Sequence, residues 1–476
     1  MMFDVPDVSL LPMWFYAFHH CTFMSIRCLC VPYRVLFILK CSISVACSVI
    51  SDNVRTSKRG MNNRRFLRFF ESDYTLTDIK ILMNKRIIIP IIVVLLVAIV
   101  VIAKSCGGGS KVSLVWNTVP SQNKTIDSVE LKVYVENSGS MDGYMCDGSN
   151  LKDAVFDYVS DLKGKCKKIN LFYVNSQVIP CNETLENYIQ NLNALSFAKA
   201  GGNRANTDLR YIFEMMLQRQ KKNTLTVFIS DCILDIPQNA VNFFGNCQVS
   251  IKNTFNQALV RNPNLGVQII KLQSKFNGYW YCGQNKELLS DVKRPYYIWV
   301  IGDKNILAKI NKEVSYEDII GGIDNYCAFS KSEEIPFDIG KKRYTVNHTN
   351  KINIEILADL SHSLQSEKTL ADINNYSVSN PTQVKVVSSE RIIAKDSKFS
   401  HVLKVEVENP QTINSEMVTV CFPKMPSWIS ATNDDTGRNV RQNLGKTTGI
   451  YYLINGVSEA YNSATPYGEI SFKIKK

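Results

Sequence analysis

Apolar and polar residues alternate along this chain in two regimes. From residue 129 to about 313, short apolar runs that suit strands take turns with segments whose apolar residues recur every three or four positions, as in helices. Strands are predicted at 129–135, 169–174, 224–229, 266–272 and 296–301, and helices at 150–163, 183–195, 208–220, 240–261 and 304–313. In the first helix Leu151, Val155, Phe156, Val159 and Leu162 fall on one face. The run 224–229 is continuously apolar, as in a strand buried on both faces. This order predicts an α/β domain, a doubly wound and mostly parallel sheet with helices on both faces, whose ligands bind at the carboxyl ends of the strands.

From about residue 350 the strands come without helices between them, at 351–357, 383–393, 402–408, 416–421, 449–454 and 469–475. Short strands separated by Asn, Pro, Ser and Gly predict a small Ig-like β-sandwich. The expected division is therefore a polar, extended linker at 107–128, an α/β domain at 129–345 and a β-rich domain at 346–476. Residues 274–294, with Phe276, Tyr279, Trp280 and Tyr281, stand as an insertion between the fifth and sixth strands of the first domain. They serve either as an exposed aromatic docking surface or as a cover for the sheet edge.

Upstream, residues 87–103 form an unbroken apolar run of 17 residues behind Lys85 and Arg86. This suits a single-pass membrane anchor at the short end of the spanning range. It equally suits a lipoprotein signal, because Ala103-Lys104-Ser105-Cys106 resembles a bacterial lipobox with Cys106 as the lipid-modified residue. Both readings tether residues 107–476 beyond a bacterial inner membrane, through Gly107, Gly108, Gly109 and Ser110. Residues 1–82 fit neither: they hold five of the cysteines, and Arg27 and Arg34 interrupt their apolar runs. They read as an extension upstream of the true start, or as a disordered or membrane-associated segment.

The net charge of +12 suggests nucleic acid until it is located. Residues 1–105 hold 13 Lys and Arg against 6 Asp and Glu, so seven of the twelve charges flank the membrane run. No compact stripe interleaves Lys or Arg with aromatics, and nucleic acid is not an expected partner. The eight cysteines after Cys106 form no CxxC pair, which argues against zinc and leaves buried thiols or one to three disulfides.

The candidate chemistry lies at the ends of the predicted strands. Glu136-Asn137-Ser138-Gly139-Ser140-Met141 closes the first, Thr207 opens a helix within Asn-Thr-Asp-Leu, and Asp231 follows the fourth strand within Ile-Ser-Asp. Taken singly, Ser138, Gly139 and Ser140 suit a tight turn, and Thr207 and Asp231 suit helix caps. Their order at one edge of one sheet favours a shared site. Together they resemble the Asp-x-Ser-Gly-Ser, Thr and Asp elements of von Willebrand factor type A (vWA) domains, over roughly 175 residues. That resemblance implies a metal-ion-dependent adhesion site. In it Glu136, Ser138, Ser140, Thr207 and Asp231 hold one Mg²⁺ or Mn²⁺ through oxygens and leave a position for an acidic group of a protein partner. The sequence departs from the family pattern twice, with Glu136 in place of its first Asp and Cys232 where a Gly commonly follows the last Asp. The tethered arrangement also resembles envelope proteins of Bacteroides-type bacteria.

Three functions are weighed. The first is a tethered binding protein, the second a scaffold subunit that has lost its metal, and the third a metal-dependent hydrolase. None of the five histidines, His19, His20, His348, His362 and His401, lies in the predicted α/β sheet and helices, which excludes a Ser-His-Asp triad there. A general base would have to be Glu136, Asp208 or Asp231, each better explained as a ligand or cap, so no enzyme is expected. From Met83 the chain runs through a basic region, an apolar core and Cys106, the normal order of an export signal. We therefore expect a protease digest of the native protein to yield no peptide from residues 1–80.

Overall fold

The computed structural model of the chain describes residues 110–118, 128–205, 207–237, 241–331, 334–394, 397–423, 425–461 and 466–476. Residues 1–82, the apolar run, Cys106 and part of the expected linker lie outside these. Among the described residues no helix is long and apolar enough to cross a membrane.

The α/β part is built on a seven-stranded sheet. Its strands are β2 (Glu130–Glu136), β3 (Lys168–Val174), β4 (Val178–Cys181), β5 (Thr224–Ser230), β6 (Leu265–Cys282), β7 (Asn285–Asp303) and β8 (Asn325–Phe329), in the order β4-β3-β2-β5-β7-β6-β8. β2 lies parallel to both β3 and β5, and every residue of β5 is buried. The other half of the sheet is antiparallel, since β7 pairs antiparallel with both β5 and β6. This corrects the expectation of a mostly parallel sheet: the fifth and sixth predicted strands are joined by a hairpin, not a crossover helix. The segment at 274–294 is accordingly no separate insertion. It extends β6 and β7 into an 18- and 19-residue pair, closed by a two-residue turn at Gly283 with φ +59.

Helices cover both faces, because side chains alternate across each strand. Leu131, Val133 and Val135 of β2 point to one face and share a core with Val155, Val159 and Leu162 of α1 (Leu151–Gly164). Helices α2 (Leu185–Gln190), α3 (Ala194–Lys199) and α6 (Lys304–Asn311) contribute to the same core. Tyr134 points the other way, into a core with α4 (Leu209–Gln218) and α5 (Phe243–Arg261). There the Phe213 ring meets Trp299 edge-on at 4.8 Å, the geometry that aromatic quadrupoles favour.

The second part is a sandwich of two antiparallel sheets. One has the order β10-β1-β18-β15-β12, from Arg343–Thr345, Lys111–Val115, Gly468–Lys475, Ser415–Val420 and Tyr376–Val378; the other, β13-β14-β11-β9, comes from Val384–Arg391, His401–Glu408, Lys351–Ala358 and Phe337–Ile339. Alternation is regular: Ile352, Ile354 and Ile356 of β11 and Leu403, Val405 and Val407 of β14 point inward to meet Ile470, Phe472 and Ile474 of β18.

The two parts are interleaved, which revises the expected boundaries. The supposed linker supplies β1, whose Val112 and Leu114 are core residues of the sandwich. Ile335, Phe337, Ile339 and Tyr344 belong to the sandwich, not the α/β domain. The chain also leaves the sandwich at α8 (Ser427–Ala431), forms the two-residue strands β16 (Asn433–Asp434) and β17 (Thr447–Thr448), and continues into α9 (Ile450–Ala460) before returning as β18. The expected strand at 449–454 is therefore the start of a helix. Ile450, Leu453, Ile454 and Val457 have helical spacing and are buried with Ile251 and Phe255 of α5. A short helix, α7 (Glu367–Ala371), also interrupts the strands of the sandwich. Leu453→Ala is expected to destabilise the protein by about 2–5 kcal/mol in urea unfolding, as in a core cavity; a loss under about 0.5 kcal/mol would place α9 at the surface instead.

Candidate functional site

The carboxyl end of β2 delivers the first set of groups. Glu136 is its last residue, and the chain then turns through Asn137, Ser138 and Gly139 into a short 3-10 helix, Ser140–Met145. Asp231 follows directly on β5, the neighbouring strand, and Thr207 precedes α4. All five expected residues therefore meet at one sheet edge. Glu136, Ser138, Ser140 and Asp231 are buried, and the Ser138 and Ser140 hydroxyls lie 3.1 Å apart.

Burial of two acids in one place has a clear electrostatic signature. Desolvation first, and then the charge of Asp231, raise the Glu136 pKa to about 8 in all. The Ser230, Ser138 and Thr207 hydroxyls oppose this by favouring the anion. Asp231 is raised for the same first reason, against the pull of the Ser140 hydroxyl, the Ile233 N–H and the charge of Arg294. Arg294 is buried, and it donates to the carbonyls of Asn443 and Leu444 at 3.1 and 2.9 Å.

Two oxygens in this cluster, Asp231 Oδ2 and Thr207 Oγ1, are buried without a hydrogen bond of normal geometry. Thr207 is not spent as a helix cap, because Asp208 caps α4 by accepting from the Arg210 N–H at 3.0 Å. Leaving a buried acceptor unsatisfied costs about 1–3 kcal/mol, more for a charged one. Among the described residues no cluster of three or more His, Cys, Asp and Glu side chains exists; here two carboxylates are joined by three hydroxyls. This all-oxygen donor set is of the kind that hard divalent cations take.

Several residues that hold the site escaped the sequence reading. The Ser230 hydroxyl donates to Glu136 and accepts from the Cys232 N–H at 2.7 Å, so it links the ends of β2 and β5. It stood next to Asp231 in the same tripeptide, which was the available signal. Arg204 fastens the turn: Nε donates to Asn137 O at 2.8 Å, Nη2 to Ser138 O at 3.2 Å and to Asp142, while its own carbonyl accepts the Gly139 N–H at 3.1 Å. Asn137 in turn is held by Asn175 and by the Phe197 carbonyl, both at 3.1 Å.

Cys232 explains one departure from the expected pattern. Its φ is +53, the left-handed region in which glycine is at ease and other residues are strained. The thiol fills a buried position and accepts from Trp299 Nε1 at 3.3 Å. All eight described cysteines are free, so no disulfide braces the site.

The β6–β7 hairpin walls the site on one side. A Cβ on Gly278 would lie 2.7 Å from Gly143 Cα, and one on Gly143 would strike the Phe276 ring at 2.3 Å, so the two glycines let the 3-10 helix press onto the hairpin. Further along, the Tyr281 ring lies over Gly139, 3.5 Å from where a Cβ would stand. Within this segment Phe276 and Trp280 are buried, whereas Tyr279 and Tyr281 are exposed.

Searches against family models, curated proteins and solved structures found no match for the chain. The functional reading thus rests on the residues themselves. Without a divalent ion, the folded state keeps a proton on Glu136 that the unfolded chain, with its ordinary value of 4.5, releases. The stability that Glu136 contributes is then present in full below about pH 4.5 and is lost as pH rises through about 8. Urea unfolding of the parent and Glu136→Gln, compared between about pH 5 and 9, should show the slope in the parent and a flatter dependence in the variant. Equal slopes would contradict it.

Proposed function

We propose that the α/β part is a vWA-type binding domain. In this reading Glu136, Ser138, Ser140, Thr207 and Asp231 hold one Mg²⁺ or Mn²⁺, and the ion takes a carboxylate from a protein partner. The observation that carries it is the pair of buried oxygens without a hydrogen bond of normal geometry, Asp231 Oδ2 and Thr207 Oγ1, within a cluster whose acids are driven toward protonation by burial and, at Glu136, by the Asp231 charge. A bound dication would reverse both penalties at once. The parallel trio β3-β2-β5, whose ends carry the site, agrees with the vWA pattern, whereas the antiparallel β6–β7 hairpin departs from it. The protein acts by binding and not by catalysis. Its described parts stand beyond a bacterial inner membrane, tethered by the apolar run at 87–103 or by a lipid on Cys106.

A specific observation favours a second reading, a metal-free scaffold subunit. Ser230 already satisfies one Glu136 oxygen, and a Glu136 held neutral at neutral pH removes much of the demand for a cation.

Thermal unfolding of the full chain in detergent, with and without Mg²⁺ or Mn²⁺, separates the two. A site that binds only the folded state is stabilised by about 2.7 kcal/mol at a hundredfold excess over Kd. That shift should vanish in Ser138→Ala/Ser140→Ala. No shift in the parent would leave the scaffold reading standing.

A further inference from the structure

The hairpin beside the site carries a surface that metal binding does not use. Tyr279 and Tyr281 are 44% and 37% exposed along one strand. From the returning strand, Lys286 Nζ sits 4.0 Å from the centroid of the Tyr279 ring and 5.4 Å from that of Tyr281, cation over aromatic face. Several other cations are engaged with carboxylates: Arg204 with Asp142, Arg210 with Asp208, Lys275 with Asp291 and Arg441 with Glu287. Lys286 pairs with no carboxylate among the described residues. Tyr281 joins the ridge to the site, because the same ring lies over Gly139, between Ser138 and Ser140.

We propose that Tyr279, Tyr281 and Lys286 form the specificity-determining ridge of a docking surface whose occupant is an acidic segment of a partner protein. The proposal rests on the metal-site reading above. One carboxylate of the segment enters the site, the chain lies across the Tyr281 and Tyr279 faces, and a second acidic side chain meets Lys286. Charge complementarity selects this occupant: an unpaired ammonium on the ridge and an oxygen-lined cation site both ask for carboxylates, at two points on one path. The tyrosines supply amphipathic area of the sort that anchors interfaces.

The test uses the full chain in detergent with Mn²⁺, a displayed library of random linear peptides, and calorimetric titration of Mn²⁺ alone. Peptides enriched on the parent are expected to share two acidic positions. Their affinity should fall by about tenfold or more in Lys286→Glu and in Tyr281→Ser. Both variants should still bind Mn²⁺. Reselection on Lys286→Glu should replace the second acidic position with Lys or Arg. A library that yields no acidic consensus, or peptides that bind parent and Lys286→Glu alike, would overturn the ridge. If Mn²⁺ fails to bind the parent while Lys286-dependent acidic peptides are still selected, the ridge stands and the metal-site reading falls.

Discussion

Everything at the site depends on where β2 lies, between two parallel neighbours. Register pairs Glu136 with Val174 of β3 and Val135 with Ile229 of β5, so the three strands end together. Their loops must then share one small volume. Asp231 is brought against Glu136 by that register, and the two acids are buried because helices close over both faces of the sheet. Seryl and threonyl hydroxyls, a distant buried guanidinium and the tie from Ser230 answer the resulting charge problem only in part. The fold forces two acids together and leaves Asp231 Oδ2 and Thr207 Oγ1 buried without a hydrogen bond of normal geometry.

The α/β elements were legible because their signals are local. Continuous apolarity in 224–229 and the one-faced pattern of 150–163 reflect burial by elements close in the chain. The five site residues were legible for a related reason, since strand ends and helix starts can be placed from sequence and the sheet brings them together. What stayed hidden depends on contacts distant in sequence. Residues 449–454, Gly-Ile-Tyr-Tyr-Leu-Ile, are apolar and aromatic enough to pass for a strand, yet Ile450, Leu453 and Ile454 are buried with α5 on one helical face. β1 has five residues, and its partners lie more than two hundred residues away. Arg204 sits in a loop without periodicity, and its value comes from carbonyls of residues 137 and 138.

The two departures from the expected motif have different physical meanings. Cys232 is a backbone matter: a side chain is tolerated at a left-handed position because its thiol is buried and meets the indole N–H of Trp299. Glu136 is a matter of reach and charge. Its carboxylate accepts from Ser230, so the residue serves the join between β2 and β5 as well as the candidate site.

The interleaving also sets a timetable for folding. β1 is the first described strand, yet one neighbour is β18, and the Ser113 hydroxyl reaches the Lys475 carbonyl across 362 positions. As the chain is made from its amino end, that strand must wait with one edge unpaired until β18 has been made. The α/β core waits likewise for α9. Neither part can close before the segments that hold α9 and β18 have been made.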